Sequence, residues 1–349
     1  MRVALRVARG EASRHSRFGI VGLRRALRMA ADRTRIAVIG CGAWGRNHVR
    51  TLASLGNLYA VADEQGKRSF DIAAEFGVRP LAPMQVLEDE RIDGVVLALP
   101  AHVHADMAIR AMEAGKHVLV EKPIALRAAD AEDVVATAER HGRVLMVGHV
   151  LRHHPAFRRL LSEIGGGAIG EPRYVQSHRQ GFGRFHAFFD AAWDLAPHDL
   201  SLVLAVAGRE PTFAVGRSSV ALGGSRDNAL IYMAFGQTLA AHVSVSRISA
   251  HRDRRFTVTG TDGTLVFDDL EDWPRKLVRY RHAVDPHEEG GASFELGDAE
   301  PIAVDEAMSL TEELSNFVAA IEGREAPRTP GRDGLNVVRI LETALPPGR

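Results

Sequence analysis

The chain has 349 residues, of which 46% are hydrophobic and 25% charged, with 44 basic and 44 acidic side chains. This composition is typical of a soluble globular protein, and the length predicts two domains. Zero net charge argues against nucleic acid or an anionic membrane as a partner, and no apolar run approaches the ~20 residues of a membrane span. The single cysteine, Cys41, excludes an internal disulfide and fits a cytoplasmic protein.

The first 34 residues differ in composition from the rest of the chain. They are rich in arginine, contain only two acidic residues, Glu11 and Asp32, and have no continuous apolar segment of the kind that a signal peptide requires. They could be an organellar transit peptide, a flexible arm or a segment upstream of a true start at Met29. We expect residues 1–34 to be a disordered extension outside the fold.

A glycine-rich stretch then follows the first predicted strand. Ile36–Ile39 is an apolar, mostly β-branched run typical of a strand buried on both faces. Gly40, Gly42 and Gly45 follow with the spacing G-x-G-x-x-G and open a helix-like segment, which is the context that a dinucleotide-binding fingerprint requires. The sequence therefore predicts a dinucleotide with its pyrophosphate at the N-terminus of a helix.

An acidic residue at the end of the second predicted strand strengthens this interpretation. Leu58–Ala62 ends on Asp63, 21 residues after Gly42. A carboxylate at this distance is placed to accept hydrogen bonds from the adenosine ribose and would repel a 2′-phosphate. The position favours NAD over NADP, although Lys67 and Arg68 lie close enough to weaken that preference.

Strands then alternate with helices as far as residue 150. We predict helices at Ser69–Phe76, Val86–Asp89, Ala105–Ala114 and Ala128–His141, and strands at Gly94–Leu99, His117–Val120 and Arg143–Val147. Alternation of this kind indicates βαβ units and a parallel sheet, hence a Rossmann domain over residues 35–150.

The pattern changes after residue 150, where short strands separated by turns become frequent. We predict helices at Pro155–Ile164, Trp193–Ala207, Leu310–Ile321 and Gly334–Leu345, and strands at Pro172–His178, Phe213–Val220, Leu230–Phe235, Leu239–Ser246, Arg255–Thr259 and Gly263–Phe267. The predicted fold class is α/β, with a second α/β domain at 151–349 built on a mostly antiparallel sheet. Its last two helices are expected to pack near the first domain.

Four motifs resemble those of the Gfo/Idh/MocA oxidoreductases. They are Gly40-Cys-Gly-Ala-Trp-Gly45, Pro100 with His104, Glu121-Lys122-Pro123, and Asp194-Leu-Ala-Pro-His198-Asp199. The resemblance covers Arg35 to the C-terminus and implies a Rossmann domain followed by an open sheet that commonly forms a dimer or tetramer interface. We therefore expect a homodimer or homotetramer.

Two further runs resemble the branch of the family that acts on nucleotide sugars, including UDP-N-acetylglucosamine 3-dehydrogenases. These runs are Trp193–Ser201 and Gly263–Leu270. The resemblance also implies the cofactor-binding residues, which come from the glycine loop, the end of the second strand and two later turns: Gly40, Gly42, Ala43, Trp44, Gly45, Asp63, Pro100, His104, Glu121, Lys122 and Pro123.

Three residues are the predicted catalytic set. His198 would accept the hydroxyl proton as a neutral imidazole, and Lys122 would stabilise negative charge on the reacting oxygen. Asp194 lies four residues before His198, so on a helix the two side chains share a face. Asp194 would orient His198, but with Pro197 in the first turn it could equally be a helix N-cap.

Several other polar residues have less certain interpretations. Asp199 is a candidate site residue or a helix-dipole partner. Arginines that could meet a substrate diphosphate are Arg152, Arg173 and Arg179. No metal is expected, because His149, His153 and His154 lack site-like spacing with other ligands.

The sequence predicts an NAD-dependent dehydrogenase that oxidises a sugar hydroxyl, with C3 of a UDP-linked amino sugar as the favoured substrate. The alternatives are an NAD(P)-dependent dehydrogenase of a free sugar or inositol, and a catalytically silent NAD-binding regulator. Because Lys122, Asp194 and His198 occur together, the motifs favour an enzyme over the regulator.

Overall fold

The computed structural model describes residues 33–183, 185, 190–222, 224–287 and 290–346. Residues 1–32 of the predicted N-terminal extension lie outside the described residues. Two sheets, each covered by helices, organise the chain, and this confirms the predicted α/β fold class.

The first sheet is parallel and carries its helices in the connections between strands. Its strands are β1 (Ile36–Ile39), β2 (Leu58–Ala62), β3 (Arg79–Leu81), β4 (Gly94–Leu97), β5 (His117–Glu121) and β6 (Leu145–Gly148). Its helices are α1 (Ala43–Leu55), α2 (Gly66–Phe76), α3 (Pro83–Glu88), α4 (His104–Glu113) and α5 (Ala128–His141). The strand order β3-β2-β1-β4-β5-β6 reverses direction between β1 and β4. In open parallel sheets, ligands bind at that reversal, beyond the carboxyl ends of the strands.

The second sheet is larger and mostly antiparallel. Its strands are β7 (Pro172–Phe182), β8 (Phe213–Ser219), β9 (Asn228–Phe235), β10 (Leu239–Ser246), β11 (Ile248–Asp253), β12 (Arg255–Gly260), β13 (Gly263–Asp268), β14 (Leu277–Pro286), β15 (Ala292–Leu296) and β16 (Glu300–Pro301). The main path runs β15-β14-β13-β12-β7-β10-β9-β8, and β7 and β10 pair in parallel. Alternating buried residues on β9 and β10 form one face of its core.

Four further helices connect the two sheets. They are α6 (Pro155–Gly165), α7 (Ala191–Ala207), α8 (Ser309–Ile321) and α9 (Gly331–Ala344). Helix α7 covers the inner face of the large sheet, α8 packs against α1, and α9 packs against both α5 and α7. The last two helices thus return to the first sheet, and α7 is held against the edge where the strands of that sheet end.

The largest differences from the predicted elements are strands that the sequence analysis missed: β3, β11, β14, β15 and β16. Proline interrupts β3, and β14 and β15 are largely exposed, so none of these segments has the apolar alternation of a half-buried strand. Helix α7 begins two residues earlier than predicted, because the Asp190 carboxylate accepts a hydrogen bond of 2.9 Å from Trp193 N.

None of the described helices combines the length and the apolar composition needed to cross a membrane.

Candidate active site

The glycine loop between β1 and α1 packs too closely for side chains at two of its three glycines. Gly40 has φ +98°, and a Cβ there would lie 2.3 Å from the Ala98 carbonyl oxygen. A Cβ on Gly45 would lie 1.8 Å from the Gly40 carbonyl oxygen. Both glycines therefore allow the loop, the helix and strand β4 to approach one another.

Gly42 is different, because a Cβ built on it meets no atom within 4 Å. It is the N-cap of α1 and provides no side-chain cap for the first N–H groups of the helix. A cavity of about 540 Å³ opens here, lined by Cys41, Gly42, Ala43, Arg46, Gln65, Lys67, Arg68, Asp71 and Ile72. Uncapped N–H groups facing open space fit a bound pyrophosphate.

Asp63 is anchored at the end of β2. Its carboxylate accepts hydrogen bonds of 2.8 Å from the backbone N–H groups of Cys41 and Gln65, and Arg68 Nη1 lies 3.3 Å from it. The acidic residue predicted to meet the ribose is thus fixed beside the glycine loop. Burial, with a smaller effect of Asp63, raises the pKa of the Cys41 thiol to about 11, so this thiol stays protonated.

A second cavity of about 420 Å³ lies where the first sheet meets α7. It is lined by Trp44, Ala98, Leu99, Glu121, Lys122, Gly148, Val150, Arg179, Asp194, Leu195, His198 and Arg254. The three predicted catalytic residues are therefore brought to one cavity. Pro100 is exposed and is not among the lining residues, whereas Ala98 and Leu99 just before it are.

Lys122 reaches across the cavity from the end of β5 to α7. Its Nζ donates a hydrogen bond of 2.8 Å to the Asp194 carbonyl oxygen and lies 3.2 Å from Asp194 Oδ1. The lysine side chain is only 18% exposed. The ammonium group is therefore held at a fixed point rather than extended into solvent.

The N-cap interpretation of Asp194 is wrong. Helix α7 begins at Ala191 and is capped by Asp190, so Asp194 lies in its first turn. Its carboxylate pairs with Lys122. That Asp194 orients His198 stays a prediction, because Nδ1 of His198 is buried and has no hydrogen-bond partner in the described part of the chain.

His198 is held in its neutral form. Burial lowers its pKa well below 6.5, and the positive charges of Lys122 and Arg179 lower it further. A neutral imidazole at pH 7 has a lone pair that can accept a proton, which a general base requires.

Glu121, the last residue of β5, connects helix α1 after the glycine loop to Lys122. Its carboxylate accepts hydrogen bonds from Trp44 Nε1 and from His48 Nε2, the latter at 2.7 Å. Its other oxygen accepts a hydrogen bond of 3.2 Å from Lys122 N. Although burial opposes ionisation, the hydrogen bond from His48 lowers the pKa of Glu121 below its usual value. A Cβ at position 148 would lie 2.9 Å from the Glu121 carboxyl group, so a side chain there would displace this carboxylate.

His104 has a positioning role in the structure. Its Nδ1 lies 2.8 Å from the Pro123 carbonyl oxygen and its Nε2 lies 2.8 Å from the Leu99 carbonyl oxygen. The imidazole thus bridges the segments that follow β4 and β5, and both segments contribute lining residues to the cavity. Burial lowers the pKa of His104.

A cluster of buried polar side chains lies behind Glu121. Atoms without a hydrogen-bond partner among the described residues are both ring nitrogens of His149, Nδ1 of His153 and both carboxyl oxygens of Glu313. Burial lowers the pKa of each of the two histidines to about 3 and raises that of Glu313 well above 4.5. The two histidines are thus neutral at pH 7, and burial favours the neutral form of Glu313.

Of the arginines considered as diphosphate ligands, only Arg179 lines the cavity. Its guanidinium makes a bidentate ion pair with the buried Asp199, at 2.6 and 3.0 Å, and Ser177 Oγ donates to the same carboxylate. Arg152 instead pairs with Asp333, and Arg173 pairs with Glu171. Asp199 therefore fixes the position of the Arg179 guanidinium in the cavity wall.

Sequence reasoning missed several residues of the site, notably Arg254, Leu195, Val150 and His48. Arginine and apolar residues are common in the chain, so nothing in the local pattern distinguishes Arg254 or Leu195. His48 lies four residues after Trp44 on α1, and this spacing was the available signal. In the parts of the chain that the structure describes, no group of three or more His, Cys, Asp or Glu could hold a metal ion.

A parallel sheet with a glycine-loop dinucleotide site, beside a cavity with a fixed lysine and a neutral histidine, defines a dehydrogenase. The chain belongs to the Gfo/Idh/MocA family: residues 34–149 match the model of this oxidoreductase family with its NAD-binding Rossmann fold. Residues 157–266 match the model of the Gfo/Idh/MocA C-terminal domain. These matches confirm the family predicted from the four motifs.

Similar proteins are dehydrogenases of nucleotide sugars and of inositols. The chain is 31% identical over 314 residues to UDP-N-acetylglucosamine 3-dehydrogenase of Acidithiobacillus ferrooxidans, covering 89% of this chain and 95% of that protein. It is 29% identical to scyllo-inositol 2-dehydrogenase (NAD(+)) of Bacillus subtilis, covering 84% and 87%. The solved structure of the A. ferrooxidans enzyme, GnnA, has a TM-score of 0.78 at 27% identity and covers 90% of this chain and 97% of that one.

The chain is therefore an NAD-dependent oxidoreductase that acts on a CH–OH group.

Proposed function

We propose that this enzyme oxidises a secondary hydroxyl of a sugar, with C3 of a UDP-linked amino sugar as the preferred site. The observation that carries the proposal is the convergence of Lys122, Asp194 and His198 on one cavity beside the glycine loop. Similarity to UDP-N-acetylglucosamine 3-dehydrogenase along most of the chain supports the substrate class.

In the proposed reaction, the NAD held by the glycine loop supplies the hydride acceptor. The substrate hydroxyl gives its proton to His198, which is neutral because of burial and neighbouring cations. The Lys122 ammonium stabilises the oxygen as its negative charge grows, and Asp194 holds Lys122 in position. Loss of the hydroxyl proton and of the hydride leaves a carbonyl group on the sugar.

The adenosine end of the cofactor is assigned to the cavity beside Gly42, with Asp63 toward the ribose. We expect NAD to bind more tightly than NADP, since a 2′-phosphate would approach the Asp63 carboxylate. Arg68 lies 3.3 Å from that carboxylate and offsets part of its charge. Replacing Asp63 with Ala should therefore reduce the preference for NAD, which is measured as the ratio of the two dissociation constants.

A dehydrogenase of a free cyclitol is the second candidate, favoured by the similarity to the B. subtilis scyllo-inositol enzyme. The two candidates differ in whether the substrate carries a nucleotide. Competition by UDP separates them, because only a nucleotide-sugar site should bind UDP at the substrate position.

The test is NADH formation by the purified protein on matched panels of UDP-sugars, free sugars and inositols. A 2-oxo acid is added in parallel, so that recycling of bound NADH becomes visible. Turnover confined to UDP-amino sugars and inhibited by UDP supports the proposal. Turnover on inositols without inhibition by UDP supports the cyclitol candidate, and NAD binding without turnover on any panel supports a silent regulator.

We further propose that the protein is a cytoplasmic homodimer or homotetramer that associates through the outer face of the large sheet. Phe213, Val215, Leu230 and Tyr232 are between 40% and 55% exposed on the adjacent strands β8 and β9. A contiguous apolar patch of this kind is typical of an interface. Sedimentation of the wild type and of a Leu230→Glu variant tests it, with a monomeric wild type as the contradicting result.

A further inference from the structure

A third cavity, of about 390 Å³, continues the active-site cavity along the large sheet. It is lined by Gly181, Phe182, Gly183, Ala191, Asp194, Leu195, Ser246, Arg247, Arg252 and Arg254. Asp194, Leu195 and Arg254 line both cavities. The two cavities therefore adjoin along this shared wall, with Trp44 lining the first and residues at the ends of β7 and β11 lining the second.

Two of the charged groups in this third cavity are already paired. Arg247 is buried against Asp227, with Nε 3.0 Å from Oδ1, and Asp194 pairs with Lys122. No hydrogen bond or close ion pair joins the guanidinium groups of Arg252 and Arg254 to a described residue, although the carboxylates of Asp199 and Asp269 lie near enough to Arg254 to raise its pKa. Two cations thus remain for a ligand.

Arg252 is exposed, whereas Arg254 lies where positive charge is costly. Arg254 is partly buried on the junction of β11 and β12 and close to the cation of Arg179. Burial and this neighbour lower its pKa, yet a guanidinium stays protonated at neutral pH. A partly buried guanidinium without a hydrogen-bonded anion is destabilising, and an anion bound at Arg254 would offset that cost.

We propose that Arg252 and Arg254 bind the diphosphate group of a nucleotide-sugar substrate. The inference rests on the proposed function and assigns the part of the substrate beyond the sugar. A diphosphate diester carries two negative charges, which two guanidinium groups can neutralise, and each guanidinium can donate two parallel hydrogen bonds to phosphate oxygens.

The shared lining residues fix the direction in which the substrate lies. With the sugar beside Lys122 and His198, the diphosphate passes Leu195 and reaches Arg254 and then Arg252, on the side away from the glycine loop. Arg179 contributes less to the diphosphate, because its guanidinium is already engaged by Asp199. A free cyclitol would fill only the first cavity and leave the two arginines without a ligand.

The experiment is calorimetric titration of the NAD-saturated protein with UDP, uridine, N-acetylglucosamine and glucuronate in turn. The variants are Arg252→Gln and Arg254→Gln, with Arg254→Lys as the charge-conserving form. Arg173→Gln is the matched control, since Arg173 is an exposed arginine paired with Glu171 and lies outside both cavities. Unchanged NAD binding and thermal unfolding verify that each variant is folded.

The proposal expects UDP to bind roughly 10- to 100-fold more weakly to each glutamine variant, with uridine and N-acetylglucosamine unaffected. Arg254→Lys should recover part of the loss, and Arg173→Gln should match the wild type. Equal UDP affinity in all variants, or a loss confined to glucuronate, would overturn the assignment while leaving the proposed function in place. If the wild type does not bind UDP at all, the nucleotide-sugar function itself is contradicted.

Discussion

The cofactor region and the proposed substrate region of this enzyme are built in different ways. The cofactor region comes from one continuous segment, in which Gly40, Gly42 and Gly45 shape a loop and Asp63 closes it through backbone hydrogen bonds. The substrate region is assembled from distant segments, since Lys122 after β5 meets Asp194 on α7, and Arg179 on β7 is held by Asp199 on α7. Local backbone geometry therefore determines the first region, whereas buried ion pairs determine the second.

The largest expected effect is on the chemistry of the substrate region. His198→Ala should lower kcat/KM by roughly 100- to 10,000-fold, because the hydroxyl proton loses its acceptor. NAD affinity should be unchanged, since the glycine loop is not altered. Steady-state kinetics and a cofactor titration measure the two quantities, with His141→Ala as the exposed-histidine control. Equal losses in catalysis and in NAD binding would contradict the separation of the two regions.

A pair of glycine substitutions tests the cofactor region. Gly45→Ala should lower the free energy of unfolding by about 3 kcal/mol or more, because its Cβ would lie 1.8 Å from the Gly40 carbonyl oxygen. Gly42→Ala should lower it by less than about 1 kcal/mol, since its Cβ meets no protein atom. Gly42→Ala should instead weaken NAD binding by roughly tenfold or more, because the methyl group occupies space for the pyrophosphate. Denaturant unfolding and a cofactor titration distinguish the two variants. Similar stability of Gly45→Ala and Gly42→Ala would contradict the different roles assigned to these glycines.

Asp199→Asn tests whether a buried ion pair maintains the substrate region. Removing one charge leaves Arg179 buried without its anion, which costs about 3–5 kcal/mol of stability. The KM for substrate should rise while NAD affinity is retained. A double variant that also carries Arg179→Met should recover stability but not KM, whereas recovery of both would show that Arg179 has no part in substrate binding.

The smallest expected effect is the pH dependence of stability. His149 and His153 have folded-state pKa values of about 3, below the unfolded value of 6.5, because they are buried. The unfolded chain binds more protons below pH 6.5, so the free energy of unfolding should fall as the pH falls from 6.5 toward 3. His149→Phe should reduce this slope by at most about 1.4 kcal/mol per pH unit. Glu313 has the opposite effect above pH 4.5, because its raised pKa increases the free energy of unfolding as the pH falls. The free energy of unfolding is measured by denaturant unfolding between pH 6.5 and about pH 5. An identical dependence on pH in the wild type and in His149→Phe would contradict this prediction.

The difference between the two regions also explains which features of the protein could be predicted from the sequence. The parallel sheet, the glycine loop and helix Ala128–His141 follow from periodicity and turn residues, and the structure confirms them. The motifs also predicted Lys122, Asp194 and His198 as one catalytic set, and all three residues line one cavity.

There are physical reasons why the sequence analysis missed some residues and contacts of the site. Arg254 has no local signal, because its position depends on how β11 and β12 pair with β7. The partner of Asp194 proved to be Lys122, which lies 72 residues earlier in the chain. Spacing along a helix reveals neighbours four residues apart but cannot reveal a contact between segments that are distant in the chain.

The most direct test of the central claim is the rate of NADH formation from UDP-N-acetylglucosamine by the wild type and by Lys122→Met. The account predicts turnover by the wild type, inhibition by UDP, and a rate roughly 100- to 1,000-fold lower in the variant with NAD binding intact. Full activity in Lys122→Met, or turnover that UDP does not inhibit, would contradict it.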